Sequence, residues 1–248
     1  MRWGTRYRAA VPGRLQRSLP IRSLLLRLAV LAVVPIVGWA LAGCSSDPPE
    51  AIVPHTPDQL LPGLLTVDDV GADWTQNGRL VIAAPVAPFD EQLDFTPCPK
   101  ASVPQFTADP QAQVELMGPA DGVGRPAWQQ AALGATDADV LFDDAVASYT
   151  SCLPGGSAAD DSSWTGTRVA AARVLGDESA TFRMQLTSDV DDNVLTAMVT
   201  IARTGTDLVV LRQLDVHPAG TADIALADHE RVTAVAIQRI AALAAPSS

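Results

Sequence analysis

Hydrophobic and polar residues alternate through much of the second half of the chain, and β-strands produce this period of two. Four such segments run over residues 166–175, 180–186, 193–202 and 207–216. Gly205, flanked by two threonines, separates the last two segments and indicates a hairpin. The short turns predict an antiparallel meander with one solvated face. The residues assigned to that solvated face are Arg183, Gln185, Thr187, Arg203, Arg212 and Gln213.

A period of three to four residues predicts two longer helices, over residues 137–151 and 222–243. Asp137 and Asp139 stand at the positive N-terminal end of the first helix, where acidic side chains are favourable. Its apolar stripe consists of Leu141, Ala145, Tyr149 and Cys152. The stripe of the second helix consists of Val232, Val235, Ala236, Ile240 and Leu243. Each stripe must be buried, most simply against the sheet.

Shorter signals occupy the first half of the mature chain. Thr66, followed by two acidic residues, predicts the N-cap of a short helix that Gly71 ends. Further strands are predicted over residues 79–84, 113–117 and 128–133. Together the elements predict an α+β fold, an antiparallel β-sheet (a meander) with helices packed on one face.

The N-terminal region has a different pattern. Residues 1–27 contain seven arginines and no acidic residue, and residues 28–42 are uncharged and mostly apolar. A basic segment followed by an apolar one of this length is typical of a secretory signal, whose basic end stays in the cytoplasm. The alternative is an uncleaved transmembrane anchor. Such an anchor needs about 20 apolar residues, and Arg27 and Pro35 interrupt the run.

The apolar run ends at Leu41-Ala42-Gly43-Cys44. This sequence resembles the lipobox of bacterial lipoproteins, in which Leu, a small residue and Gly or Ala precede a cysteine. The resemblance implies cleavage before Cys44 and attachment of a diacylglyceryl group to its sulfur. Stable anchoring takes more than one acyl chain, which such a cysteine carries. We therefore expect the membrane to be a partner through lipidated Cys44, with the protein on the extracytoplasmic face of the cell membrane.

This interpretation divides the chain into a lipoprotein signal peptide (residues 1–43), a Pro-rich tether (44–58) and an α+β sensor-like domain (59–248). The tether is rich in proline and shows no periodicity, so an extended conformation is expected, with His55 in solvent. The remaining length suits one compact domain with a sufficient core.

Charge narrows the range of partners. The chain has 17 basic and 28 acidic residues, a net charge of −11. All seven basic residues of the signal are lost on cleavage, which leaves 10 basic against 28 acidic residues, or −18. So acidic a surface repels phosphates, and nucleic acid is excluded as a predicted partner. It also disfavours a polybasic contact with anionic lipid.

Once Cys44 is lipidated, Cys98 and Cys152 remain. Outside the cytoplasm, two cysteines in one domain most simply form a disulfide. The loop of about 55 residues that it closes corresponds to a stabilisation of about 4 kcal/mol. The alternative is two unpaired buried thiols. Neither cysteine belongs to a CxxC motif, which disfavours a redox site or a zinc site.

The sequence contains no motif that carries catalysis or binds a cofactor. The serine-hydrolase elbow, the dinucleotide loop and the Walker lysine loop do not occur. His55, His217 and His229 are not spaced as metal ligands, and His229 is expected on the surface of the last helix. No catalytic residue, metal or cofactor is therefore predicted, and the protein is expected not to be an enzyme.

Two weaker features bear on ligand binding. Residues 189–193 resemble the start of an EF-hand loop, but Val194 and Thr200 stand where that loop needs glycine and glutamate, so an acidic turn is favoured. The tryptophans of the predicted mature domain fit either a pocket or the core. They are Trp74, Trp128 and Trp164.

The order of elements resembles the PknH-type extracytoplasmic sensor domain, found on a serine/threonine kinase and in free-standing actinobacterial lipoproteins. Residues 64–71 (LLTVDDVG), Cys98, the helix segment 145–152 and the Ala-rich segment 232–242 carry this resemblance. It covers about residues 60–244 and implies an α+β fold with disulfides and a ligand-binding cleft. The kinase-type domain has two disulfides, whereas this chain can form one. No ligand-binding residue carries over.

Two functions follow as hypotheses. The first is a membrane-anchored cell-envelope lipoprotein with a non-catalytic domain that binds a small ligand or an envelope protein. The alternative is a carrier or chaperone for a lipid or another apolar envelope molecule. A polar cleft in the structure favours the first, and a large apolar cavity favours the second.

Overall fold

The computed structural model describes residues 53–82, 110–120, 123–157, 162–188, 192–221 and 223–243. Cys44, Cys98 and the EF-hand-like residues 189–191 lie outside this described part. The predicted signal peptide and most of the tether also lie outside it. None of the helices in the described part is long and apolar enough to cross a membrane.

The described part forms one sheet and short helices. The strands are β1 (Thr75–Ile82), β2 (Gln111–Met117), β3 (Ala127–Gly134), β4 (Gly155–Ser157), β5 (Ser162–Val169), β6 (Glu178–Ser188), β7 (Asn193–Thr204) and β8 (Asp207–Pro218). The helices are α1 (Pro57–Leu60), a 3₁₀ turn (Leu61–Gly63), α2 (Val67–Val70), α3 (Ala138–Thr150) and α4 (Leu226–Ala241).

All eight strands belong to one antiparallel sheet in the order β1-β2-β3-β8-β7-β6-β5-β4. Strands β5 to β8 follow one another as neighbours, which confirms the predicted meander. Gly205 adopts φ +59° in the β7–β8 turn. A Cβ there would meet nothing within 4 Å, so the turn requires glycine for its backbone conformation. Pairing of β3 with β8 joins the first half of the chain to this meander.

The prediction that the helices pack on one face is wrong, because helices cover both faces of the sheet. Leu141, Phe142 and Tyr149 of α3 pack with Phe182 and Leu208 in one core cluster. On the opposite side, α4 and the 60–65 segment form a second cluster with β2, β3 and β8. The two faces of β8 each contribute apolar residues, Leu208 and Val210 to one cluster and Val209 and Leu211 to the other.

The predicted solvated face is wrong for the same reason. Gln213 lies on the α4 side of β8, next to Trp128 of β3 in the strand register. Arg212, its neighbour in the strand, points to the α3 side, because successive side chains alternate, and it is only 8% exposed. The predicted set of polar residues therefore divides between the two faces of the sheet.

Two elements have boundaries that differ from the predicted ones, the end of β5 and the start of α4. Strand β5 ends at Val169 rather than at residue 175. After it, Ala172 N donates to Glu230 Oε1 of α4 at 2.8 Å, which draws the chain away from the sheet. Helix α4 begins at Leu226 rather than at residue 222, because Asp223 turns towards β6 and contacts Arg183. The strand β4 was not predicted. The short helix after Thr66 is confirmed, with a capping box between Thr66 and Asp69.

Candidate functional site

Half of the sheet face beneath α4 is polar. On β2 and β3 this side carries apolar residues of the second core cluster. On β5 to β8, the strand registers place hydroxyl, amide, guanidinium and imidazole side chains side by side. This surface, called the polar face below, comprises Thr165, Thr167, Thr181, Arg183, Gln185, Thr196, Thr200, Gln213 and His217.

The outer edge of the polar face is an open cavity of about 210 Å³. Its described lining consists of Thr165, Gly166, Thr167, Arg183 and Gln185, and it is called the groove below. Thr165 pairs with Gln185 and Thr167 with Arg183 across β5 and β6. Facing residues of one register share a face of the sheet, so two hydroxyls, one amide and one guanidinium line the groove together.

Asp223, in the segment before α4, reaches the groove. Its Oδ2 accepts a hydrogen bond from Gln185 Nε2 at 3.0 Å and forms an ion pair with the Arg183 guanidinium. Its Oδ1 accepts from the backbone N–H of Ile224 at 2.6 Å. Within the described part, Arg183 Nε is buried and has no hydrogen-bond partner. The guanidinium is therefore only partly used by Asp223.

A hydrogen-bond relay continues from the groove to His217. Gln185 Nε2 donates to Thr196 Oγ1 at 3.3 Å, and Thr196 Oγ1 lies 3.1 Å from His217 Nε2. The Pro218 carbonyl oxygen, 3.2 Å from His217 Nδ1, can only accept. Nδ1 therefore donates to this carbonyl oxygen, and Nε2 is in hydrogen-bond contact with the Thr196 hydroxyl. Asp223 Oδ1 lies 3.9 Å from the same Nε2.

His229 forms a second, deeper network under α4, so its predicted place on the helix surface is wrong. The side chain is fully buried, and its ring stacks on Trp128 with centroids 5.1 Å apart. Nδ1 lies 3.1 Å from Gln213 Oε1, and Nε2 lies 2.9 Å from Thr200 Oγ1. Thr200 Oγ1 is also 2.8 Å from Thr181 Oγ1.

Burial sets the protonation of His229. Removal from water disfavours the charged ring and lowers the pKa of His229 to about 4. Gln213 Oε1 only accepts, so Nδ1 donates to it and Nε2 accepts from the Thr200 hydroxyl. A threonine beside a neutral imidazole has the elements of an activated nucleophile. Both side chains are closed to solvent, however, so the network holds α4 on the sheet rather than meeting a substrate.

Of the predicted site residues, Cys152 lies in the described part, apart from the groove. Cys152 is buried just beyond the end of α3, in the cluster on the opposite face. Cys44 and Cys98 lie outside the described residues, so lipidation and the disulfide stay predictions. Trp128 and Trp164 are core residues, and Trp74 packs at the edge of the second cluster. Within the described part, no group of three or more His, Cys, Asp or Glu is placed to hold a metal ion.

His55 also departs from its prediction. It was expected in solvent within the tether, yet its ring is largely buried and Nδ1 lies 2.8 Å from Asp207 Oδ2 at the start of β8. Thr56 then caps α1 through a capping box with Gln59. The described residues at the end of the predicted tether therefore pack with the folded domain.

Comparison with known proteins finds a solved structure with a similar fold. No protein-family model matches the chain, and no curated protein matches it. Among solved structures, the crystal structure of the extracellular domain of PknH from Mycobacterium tuberculosis matches with a TM-score of 0.51 and 10% sequence identity. The match covers 76% of this chain and 98% of that domain. At this identity the similarity concerns the fold, and the chain shares its α+β fold with an extracellular domain of PknH.

Proposed function

We propose that this chain is a membrane-anchored cell-envelope lipoprotein whose non-catalytic domain binds a small polar ligand in the groove. The observation that carries the proposal is the groove itself, in which Arg183, Gln185 and two threonine hydroxyls converge on one open cavity. Convergent polar groups in a concave site are what fixes the orientation of a small ligand. The fold shared with an extracellular domain supports a place outside the cytoplasm.

The lining favours a polar ligand over an apolar cargo. A carrier for lipid needs a cavity walled by apolar side chains, whereas four of the five described lining residues have polar side chains. The proposal that the domain is non-catalytic is based on the burial and the hydrogen bonds of two histidines near the groove. His217 and His229 are buried and already engaged with threonine hydroxyls, which leaves the groove without an exposed histidine as a base.

Native mass spectrometry of the protein purified from its own envelope tests ligand binding. We expect a bound polar molecule that is lost from an Arg183→Gln variant. Arg168→Gln is the matched control, because Arg168 is exposed and lies over Phe182 on the opposite face of the sheet. A bound lipid that survives Arg183→Gln would instead favour the carrier function.

Replacing Cys44 tests the anchor. Cys44→Ala removes the sulfur that the lipobox resemblance assigns to the diacylglyceryl group, so the protein should leave the membrane fraction and lose fatty-acid labelling. Ser46→Ala, two residues further on, is the control and should stay on the membrane. Retention of Cys44→Ala on the membrane would contradict lipidation and support an uncleaved anchor.

A further inference from the structure

The groove has an unusual charge for this protein. The chain as a whole is acidic, with a net charge of −11. Among the described lining residues, however, Arg183 is the charged one, and it faces the threonine hydroxyl of Thr167 across the strand pair. General electrostatics would keep anions away from such a chain, so an anion could bind only at a specific cationic spot of this kind.

Asp223 already uses this spot as an anion would. One carboxylate oxygen, Oδ2, takes the contacts with both Arg183 and Gln185. The other oxygen, Oδ1, is turned to the backbone of Ile224. A guanidinium binds carboxylate or phosphate best through two parallel hydrogen bonds. Asp223 does not provide that geometry, and Arg183 Nε remains buried without a partner within the described part.

The pair is also poorly suited to a purely structural role. The Arg183 side chain is 36% exposed and that of Asp223 21% exposed, and ion pairs this accessible to water contribute little to stability. Little is therefore lost when another oxyanion replaces the Asp223 carboxylate. The hydroxyls of Thr165 and Thr167, on the open side of the groove, can donate to the oxygens of that incoming group.

We propose that the groove recognises a ligand through an oxyanion, a carboxylate or a phosphate group, and that Asp223 is an internal competitor which this group displaces from Arg183. The inference rests on the proposed function and adds the chemical class of the ligand. Ligand binding would release Asp223 from β6, and Asp223 lies directly before α4.

Removal of the competitor tests the inference. Asp223→Asn takes away the charge but keeps an Oδ1 that can accept from Ile224 N–H. Succinate, inorganic phosphate and the neutral succinamide serve as probes, with the Nε–H resonance of Arg183 observed by NMR. We expect Asp223→Asn to bind succinate, phosphate or both at least fivefold more tightly than the unmodified chain, with no gain for succinamide. The anion with the larger gain identifies the preferred group.

Asp228→Asn is the matched control, because it removes the same charge from an exposed position on α4. It should leave the anion affinities unchanged, and Arg183→Gln combined with Asp223→Asn should abolish the gain. Thermal melting checks that each variant is folded. If a folded Asp223→Asn gains no more than Asp228→Asn, the pair is structural and the inference is wrong. If native mass spectrometry then shows a neutral polar ligand bound, the proposed function holds although the oxyanion inference fails.

Discussion

His229 shows how one side chain can join a helix to a sheet without any charge. Both ring nitrogens are used in the neutral form, one as donor to Gln213 and one as acceptor from Thr200. The stacked Trp128 excludes water from one side of the ring. A protonated ring would place a charge in a site that is closed to water. The network therefore favours neutral His229 strongly.

The stability of the protein should fall in acid because of His229. Its folded pKa of about 4 lies below the value of about 6.5 in an unfolded chain. Between these values the unfolded chain binds a proton that the folded chain does not, so the free energy of unfolding decreases as the pH falls through this window. The shift corresponds to about 3 kcal/mol in all, of which about 2.5 kcal/mol is lost between pH 7 and pH 4.5. Urea denaturation at these two pH values measures the loss. His229→Gln should lose this part of the pH dependence, and an unchanged dependence would contradict the prediction.

The sequence pattern was sufficient to predict that His229 is buried, but not to predict the groove. His229 stands three residues before Val232 and seven before Ala236, which puts it on the apolar stripe of α4 rather than on its surface. A buried position follows from that spacing. Arg183 and Asp223 are 40 positions apart, and nothing local in the sequence relates them. Their contact depends on how the segment before α4 crosses β6, which is a tertiary feature.

The central strands explain why helices cover both faces of the sheet. Residues 208–211 of β8 and 197–202 of β7 are buried without a break. A strand with one wet face alternates, whereas a strand covered on both sides shows a continuous apolar run. The run Leu208-Val209-Val210-Leu211 therefore contained the signal for a second layer. The alternation in β6 indicates a strand correctly, but its polar residues Arg183 and Gln185 line the half-exposed groove rather than a fully solvated face.

The pair of His55 and Asp207 connects the segment before α1 to the start of β8. Asp207 is buried, and desolvation raises its pKa, while the contact with His55 acts in the opposite direction. The backbone of His55 lies so close to Gly134 of β3 that a Cβ at this glycine would come within 2.1 Å of the His55 carbonyl oxygen. The segment before α1 is therefore packed against two strands.

Loss of His55 should be costly for this reason. His55→Ala leaves a buried carboxylate without its imidazole partner, which typically costs about 3 kcal/mol or more. The free energy of unfolding at pH 7, from urea denaturation, measures the effect. His55→Asn is the matched control, because its side-chain amide can donate near the position of Nδ1, and it should lose much less. Equal losses in the two variants would show that packing, and not the contact with Asp207, is what His55 supplies.

The whole molecule combines a basic, apolar N-terminus with an acidic remainder. Cleavage before Cys44 would make the net charge more negative, from −11 to −18. The lipid alone would then have to hold the protein on an anionic membrane. The chain shares its fold with the extracellular domain of PknH, and under the proposed function the domain works outside the cytoplasm. In that compartment the two remaining cysteines are oxidised unless they lie apart.

We therefore predict a disulfide between Cys98 and Cys152, which would attach the end of α3 to the segment between β1 and β2. Cys152 is buried and 2% exposed, so its bridge would be protected from reductants. Trypsin cleaves after Arg79 and Lys100, and Pro126 blocks cleavage after Arg125, so the cysteines fall in peptides 80–100 and 101–168. Without reductant these peptides should appear as one linked mass that separates on reduction. Reduction should also lower stability by about 4 kcal/mol. Two alkylated thiols in the untreated protein would contradict the bridge.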